Sequence, residues 1–216
     1  MPFSIDMLLD YFAVYNERIW PMQVLGYLLG LLTVGPLFRP GKAWDRVVTG
    51  VMAFLWLWVA VIFWLQAAMD MAYLYAPTVL FAIQGAFLLY ALVRNRIAYG
   101  QVRRVDTAVG LAFTAYALIG YPVAGLLVGH VYPRTPLSPL FPCPATILTF
   151  GVLLLAQRMP RYLLVIPTLW AVSGALWFYL GMVEDAGLVI AGVVGIVMLI
   201  ARERTAQRVG GATSQA

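Results

Sequence analysis

Seven stretches of predominantly apolar residues, each interrupted by a short basic or acidic turn, decide what this chain can fold into. They run Pro21–Phe38, Val47–Gln66, Tyr73–Val93, Thr107–Gly129, Cys143–Gln157, Tyr162–Leu180 and Ala186–Ala201. About 20 such residues cross roughly 30 Å of hydrocarbon as a helix. Hydrophobic residues make up 63% of the chain and charged ones 11%, with mean hydropathy +0.88. A water-soluble fold cannot bury that much apolar surface, because much of any globule must face solvent. The expected fold class is an all-α, polytopic transmembrane helix bundle of about seven spans. The fifth is the shortest, and every later side assignment depends on its crossing.

The charges sort by segment. With the N-terminus outside and the C-terminus cytoplasmic, every basic residue except Arg18 and Arg134 falls in an inside segment. Cytoplasmic loops carry excess Lys and Arg, and the rule works best in short loops such as these. Asp6, Asp10, Glu17, Asp70, Glu184 and Asp185 fall outside, against Asp45, Asp106 and Glu203 inside. The net charge of +5 is therefore a topology signal, and nucleic acid is not an expected partner. Asp6 and Asp10 precede any basic residue, so a signal peptide is not expected and the first span acts as its own insertion signal.

The chain divides into residues 1–20, a 21–201 bundle, and a polar cytoplasmic tail at 202–216 expected to be disordered. Within the first part, Ser4 to Arg18 reads as a short interfacial helix. Asp6, Asp10 and Glu17 fall within about 40° of one another, opposite Leu8, Phe12 and Tyr15. Such a helix either lies flat at the headgroups or packs as an extension of the first span. The first and fifth spans both open Pro-x-x-[Val/Ile]-Leu, at Pro21 and Pro144, which raises a three-plus-one-plus-three repeat over 21–93 and 143–201.

Single residues exclude much chemistry. One cysteine, Cys143, rules out an intramolecular disulfide and any Cys-x-x-Cys site. One histidine, His130, rules out His-Glu-x-x-His and bis-histidine haem ligation. The only lysine, Lys42, lies in a loop, so no retinal Schiff base sits in a span. No Gly-x-x-x-x-Gly-Lys-[Ser/Thr] is present, and the inside loops are too short for a nucleotide-binding domain. Ser173-Gly174 lacks the flanking Gly-x-Ser pattern of a serine hydrolase.

The candidate site is therefore on the outer face. Cys143 either packs at the start of the fifth span or is a thiolate at a helix N-terminus. His130, Asp70, Glu184 and Asp185 belong to the same face, where a mixed sulfur, nitrogen and oxygen metal site is chemically open and its metal unknown. Asp70 either caps the turn between spans two and three or lies below the headgroups, where an acid is functional by default. Gln84, midway along the third span, is an intramembrane polar candidate whose amide is expected to bond to a neighbouring helix. Gly26-x-x-x-Gly30 and Gly125-x-x-x-Gly129 fit close helix packing, and Pro122 and Pro167 are expected to bend their helices.

Two motifs carry a resemblance: Tyr15-Asn16 with Trp20-Pro21-x-Gln23, and Pro142-Cys143-Pro144-x-Thr146-Ile147-x-Thr149-Phe150-Gly151. The chain resembles, over nearly its whole length, an uncharacterised bacterial multi-pass membrane protein family, a domain of unknown function. That family often ends its second span in an aromatic–His pair followed by Ile-Asn-Pro. Phe63-Trp64 and Met69-Asp70-Met71 stand here instead, which removes imidazole chemistry from that position. The resemblance implies a bacterial cytoplasmic membrane and supplies no activity or cofactor.

Three functions remain open. One is permeation or secondary transport of a small solute or ion across the lipid bilayer. Another is an accessory role, with the helices binding a membrane partner protein or a second copy. The third is thiol or metal handling centred on Cys143 and His130.

Overall fold

Apolar residues at helical spacing, with Gly and Pro confined mostly to turns, produce an almost entirely helical molecule. The computed structural model describes residues 5–213, with side chains as far as Arg202; Ser4 and 214–216 of the expected segments lie outside it. Helix α1 spans Ile5–Ile19 and α2 Met22–Leu32, with a 3₁₀ turn at Gly35–Leu37. They are followed by α3 (Lys42–Asp70), α4 (Tyr75–Val93) and α5 (Arg104–Leu127). Then come α6 (Pro142–Leu154), α7 (Val165–Tyr179) and α8 (Ala186–Thr213). Among the described residues, five helices are long and apolar enough to cross a membrane, six if the bent pair Ile5–Ile19 and Met22–Leu37 counts as one span.

The loops gather at two ends. An acidic end holds α1, the 128–141 loop and the turn before α8. A basic end holds Lys42, the 94–104 segment, the 156–161 segment and Arg202. There a two-stranded antiparallel ladder pairs β1 (Ala98–Tyr99) with β2 (Ala156–Arg158). The fifth apolar stretch therefore stops being helical at Leu154, and its last residues, expected to stay in the span, leave as a strand. The helix has 13 residues, about 20 Å long, and all but Cys143 are buried. A helix covered by protein on every side need not match the hydrocarbon thickness, because its ends are satisfied by protein rather than lipid.

Close approach explains how α6 is wrapped. A Cβ on Gly110 of α5 would sit 2.8 Å from the Gly151 carbonyl oxygen, and one on Gly151 2.8 Å from the Gly110 carbonyl oxygen. The two backbones touch there. Trp56 of α3 donates from Nε1 to Thr149 Oγ1 at 2.9 Å, and Phe150 fills the space that Gly195 of α8 leaves open.

Helix α1 packs onto the bundle with its apolar side instead of projecting. It meets α2 at 89° and buries Leu9, Phe12, Tyr15 and Ile19. Phe12, Tyr15, Phe63 and Phe141 form edge-on pairs with centroids near 5 Å. The helix therefore turns away from α2 instead of extending it, and lies with its apolar side on the bundle while its acids remain exposed.

One further expectation is corrected: the segment from 202, expected to be disordered, continues α8 as far as Thr213, with Ala, Arg, Glu and Gln favouring helix. Pro167, expected to bend its helix, falls in the first turn of α7, where its missing N–H has no partner to lose.

At the basic end, Asp106 is fully buried and accepts Nε and Nη2 of Arg103, each at 2.9 Å. Those bonds push the Arg103 guanidinium further above its already high range. Arg202 of α8 lies 3.8 Å from the same carboxylate and donates to the Leu154 carbonyl at 3.2 Å, so one acid ties α5, α6 and α8 together.

Gly151→Ala should lower stability by about 1–3 kcal/mol through overpacking against backbone, measured by denaturant titration in detergent. A gain, as helix propensity alone would give, would contradict the backbone contact.

Candidate functional site at the acidic end

Two helix endings bring the site together. Helix α5 ends in a six-to-one backbone bond, His130 N–H to Gly125 O at 2.9 Å, closed by a five-to-two bond from Gly129 to Leu126. Gly129 has φ +91°, the left-handed conformation this ending needs and glycine adopts without strain. Helix α7 ends the same way, with Met182 bonded to Trp177, Gly181 to Phe178, and Gly181 at φ +115°. The first turn swings His130 back over the bundle. The second delivers Glu184 and Asp185 in a 3₁₀ turn, Val183–Asp185, at the head of α8. Gly129 thus terminates a helix, where helix packing was expected of it.

Both carboxylates are buried, Glu184 at 0% and Asp185 at 1% exposure. His130 Nδ1 lies 3.0 Å from Glu184 Oε1. Asp185 accepts the Tyr121 hydroxyl at Oδ1, 2.7 Å, and the Cys143 thiol at Oδ2, 3.6 Å. Tyr116 donates to the Glu184 carbonyl at 2.7 Å. Tyr116 and Tyr121 are five residues apart, about 140° around an ordinary α-helix. A π-helical stretch at Tyr116–Gly120 widens that turn and lets both hydroxyls reach the same acidic pair. Gly125 leaves room beside them: a Cβ there would lie 3.1 Å from both Glu184 Oε1 and Thr135 Oγ1. Glu184 Oε2 and Thr135 Oγ1 are buried and have no hydrogen-bond partner.

The 128–141 loop is held down by α1. Asn16 Nδ2 donates to the carbonyls of Pro133 and Thr135, both at 2.7 Å, and Tyr15 donates to the Leu140 carbonyl at 2.9 Å. Gln23 donates to the Asn16 carbonyl at 2.6 Å. Outside these, Arg134 pairs with Asp6 and Asp10. The two sequence motifs, more than a hundred residues apart, therefore meet in space: Tyr15-Asn16 and Gln23 fix the loop that leads into Pro142-Cys143-Pro144.

Of the residues expected from sequence, His130 and Glu184 form one pair and Cys143 and Asp185 another, side by side. Asp70 does not join them; it is exposed at the end of α3. Among the described residues no three His, Cys, Asp or Glu side chains gather closely enough to hold a metal ion. Cys143 directs its S–H at the Asp185 carboxylate, an acidic neighbour where a reactive thiol has a cationic one. Gln84 is fully buried midway along α4, donating to the Leu163 carbonyl at 3.0 Å. Sequence reasoning missed Tyr116, Tyr121, Thr135 and the buried Asp106. The signal for the tyrosines was their spacing ahead of Pro122, which only a widened turn makes coherent.

A cavity of about 560 Å³ opens between α1, α3, α4 and α7, lined by Tyr11, Trp64, Tyr73, Pro77, Trp170 and Trp177 among others. A smaller space of about 30 Å³ touches Tyr121, Cys143 and Asp185 and shares the walls Phe63, Trp64, Trp170 and Trp177, room for one water. The indole N–H of Trp64 is buried without a partner, while the Trp170 side chain makes a hydrogen bond with Cys143.

These features define a class: a helical bundle whose apolar helices point to a lipid bilayer, with a buried acid, imidazole, phenol and thiol cluster behind an aromatic vestibule. The chain belongs to a family of unknown function, DUF6064, which matches residues 5–209. No curated protein and no solved structure matches it.

His130→Ala removes the hydrogen-bond partner of the fully buried Glu184 Oε1 and should cost about 1–3 kcal/mol. In a Glu184→Gln background the same substitution should cost less in the same unfolding measurement. An unchanged single variant would contradict the pairing.

Proposed function

We propose that this protein is a secondary carrier or permeation protein of a bacterial cytoplasmic membrane, crossing seven times with its acidic end outside. The observation that carries the reading is the aromatic vestibule of about 560 Å³ ending against buried ionisable groups. Its size suits a small molecule, and ionisable residues buried in an apolar bundle are costly to keep without a use. The solute has an apolar body, for the vestibule walls, and a hydrogen-bond-accepting head, for the unpartnered Trp64 indole N–H. Beneath the vestibule the bundle is packed around Trp56 and Phe150, and the Arg103–Asp106–Arg202 cluster lies at the basic end. That arrangement suits a carrier closed toward the cytoplasm. Of the seven passes, α6 is the short one, and its full burial supports counting it.

A dimethylaminonaphthyl ketone, which has an apolar body and an accepting carbonyl, is a fitting probe. It should bind the protein in proteoliposomes saturably, with brighter and blue-shifted emission. Trp64→Phe keeps an aromatic ring and removes the donor, and should weaken binding about threefold to tenfold. Non-saturable binding, or unchanged affinity in this variant, would count against the reading.

A further inference from the structure

The basic end holds a second hollow, of about 340 Å³, lined by Lys42, Asp45, Arg46, Asn95, Ile97, Ala98 and Arg158. Three separate segments build it, and each is fixed. Lys42 and Arg46 stand one turn apart at the start of α3. Asn95, in the left-handed conformation at φ 47°, ends α4 with the six-to-one bond from Arg96 to Ala91 and directs the chain into β1. Arg158 lies on β2 opposite Ala98. Asp45 ties the first two segments together, because its Oδ1 accepts the Tyr99 N–H at 2.8 Å.

The charge around this hollow is unbalanced. Among the described residues, no carboxylate lies within ion-pair distance of Lys42, Arg46 or Arg158. Asp45 is the one acid in the lining, and part of it is engaged by backbone. Topology alone calls for cations at this end, and Arg39, Arg96 and Arg104 meet that need equally well. It does not call for three cations to converge on one concave space. Bases between helices at a membrane surface form a recognition pattern for phosphate-bearing headgroups, and guanidinium groups match phosphate oxygens in forked geometry.

We propose that this hollow binds the phosphate of an anionic phospholipid headgroup, with Lys42, Arg46 and Arg158 as its cationic contacts. The level of the hollow favours a lipid over a free phosphate. Val47 follows Arg46 directly and is exposed, and Val93, exposed as well, lies two residues before Asn95. The site thus stands where the charged end gives way to apolar surface, with room for acyl chains beside it. It is separate from the acidic-end cluster, and its failure would leave the carrier reading untouched.

The test uses the full chain in mild detergent, with native mass spectrometry reading bound phosphatidylglycerol. The unsubstituted protein should retain one molecule against a large excess of phosphatidylcholine. Lys42→Gln/Arg46→Gln/Arg158→Gln should weaken this binding by about a hundredfold, about fivefold for each charge removed near the surface. Arg39→Gln/Arg96→Gln/Arg104→Gln removes the same charge from the same end and should retain the lipid. Equal loss in both triple variants would overturn the proposal, since general surface charge would then explain the binding. Displacement of the lipid by inorganic phosphate at equal concentration would also overturn it in favour of a soluble anion. Should the first triple variant fail to insert, the unsubstituted protein decides: absence of selectivity over phosphatidylcholine overturns the site.

Discussion

Backbone amides and buried side-chain polar atoms cannot turn to hydrocarbon for hydrogen bonds, and the arrangement around α6 follows from that constraint. The helix is about 20 Å long and surrounded by protein. Its start is met by the loop that α1 pins down, and its end by Arg202 on the Leu154 carbonyl and by the small ladder. Its neighbours must come close to seal it, which is why Gly110 and Gly151 touch backbone to backbone and Gly195 lies under Phe150. Thr146 and Thr149 return their hydroxyls to the carbonyls of Pro142 and Ala145, so polar residues within the motif are largely satisfied inside the helix.

The same constraint organises the acidic end. Glu184 and Asp185 are adjacent in sequence yet face different partners, an imidazole and a phenol–thiol pair. Helix α1 completes this end without placing charge in the buried cluster: its acids stay in solvent or pair with Arg134, while its aromatic side closes one wall of the vestibule. The N-terminal motif thus acts on the site through position, by holding down the loop that carries Thr135 and leads to Cys143.

What was legible in the sequence follows the physics of each signal. Hydropathy located the long helices because lipid imposes length and apolarity on them. The basic and acidic turns sort to opposite ends as their charge pattern implies. Helix α6 was harder: its apolar run continues past Leu154, and only pairing with Ala98–Tyr99 turns the last residues into a strand. The site was half legible. His130, Cys143, Glu184 and Asp185 were readable as one face, but which acid meets which partner depends on Gly129 and Gly181 ending their helices. Asp106 was read as a loop charge because burial by α6 and α8 is a tertiary event with no local mark.

The central claim is that lipid surrounds this bundle and that its acidic and basic ends face opposite aqueous compartments. In a Cys143→Ser background, the exposed positions Gln101 and Tyr132 can each carry a single cysteine for labelling with a membrane-impermeant maleimide. Tyr132→Cys should react in intact cells, and Gln101→Cys only after the membrane is opened. Reaction of Gln101→Cys in intact cells, or of both positions alike, would contradict the account.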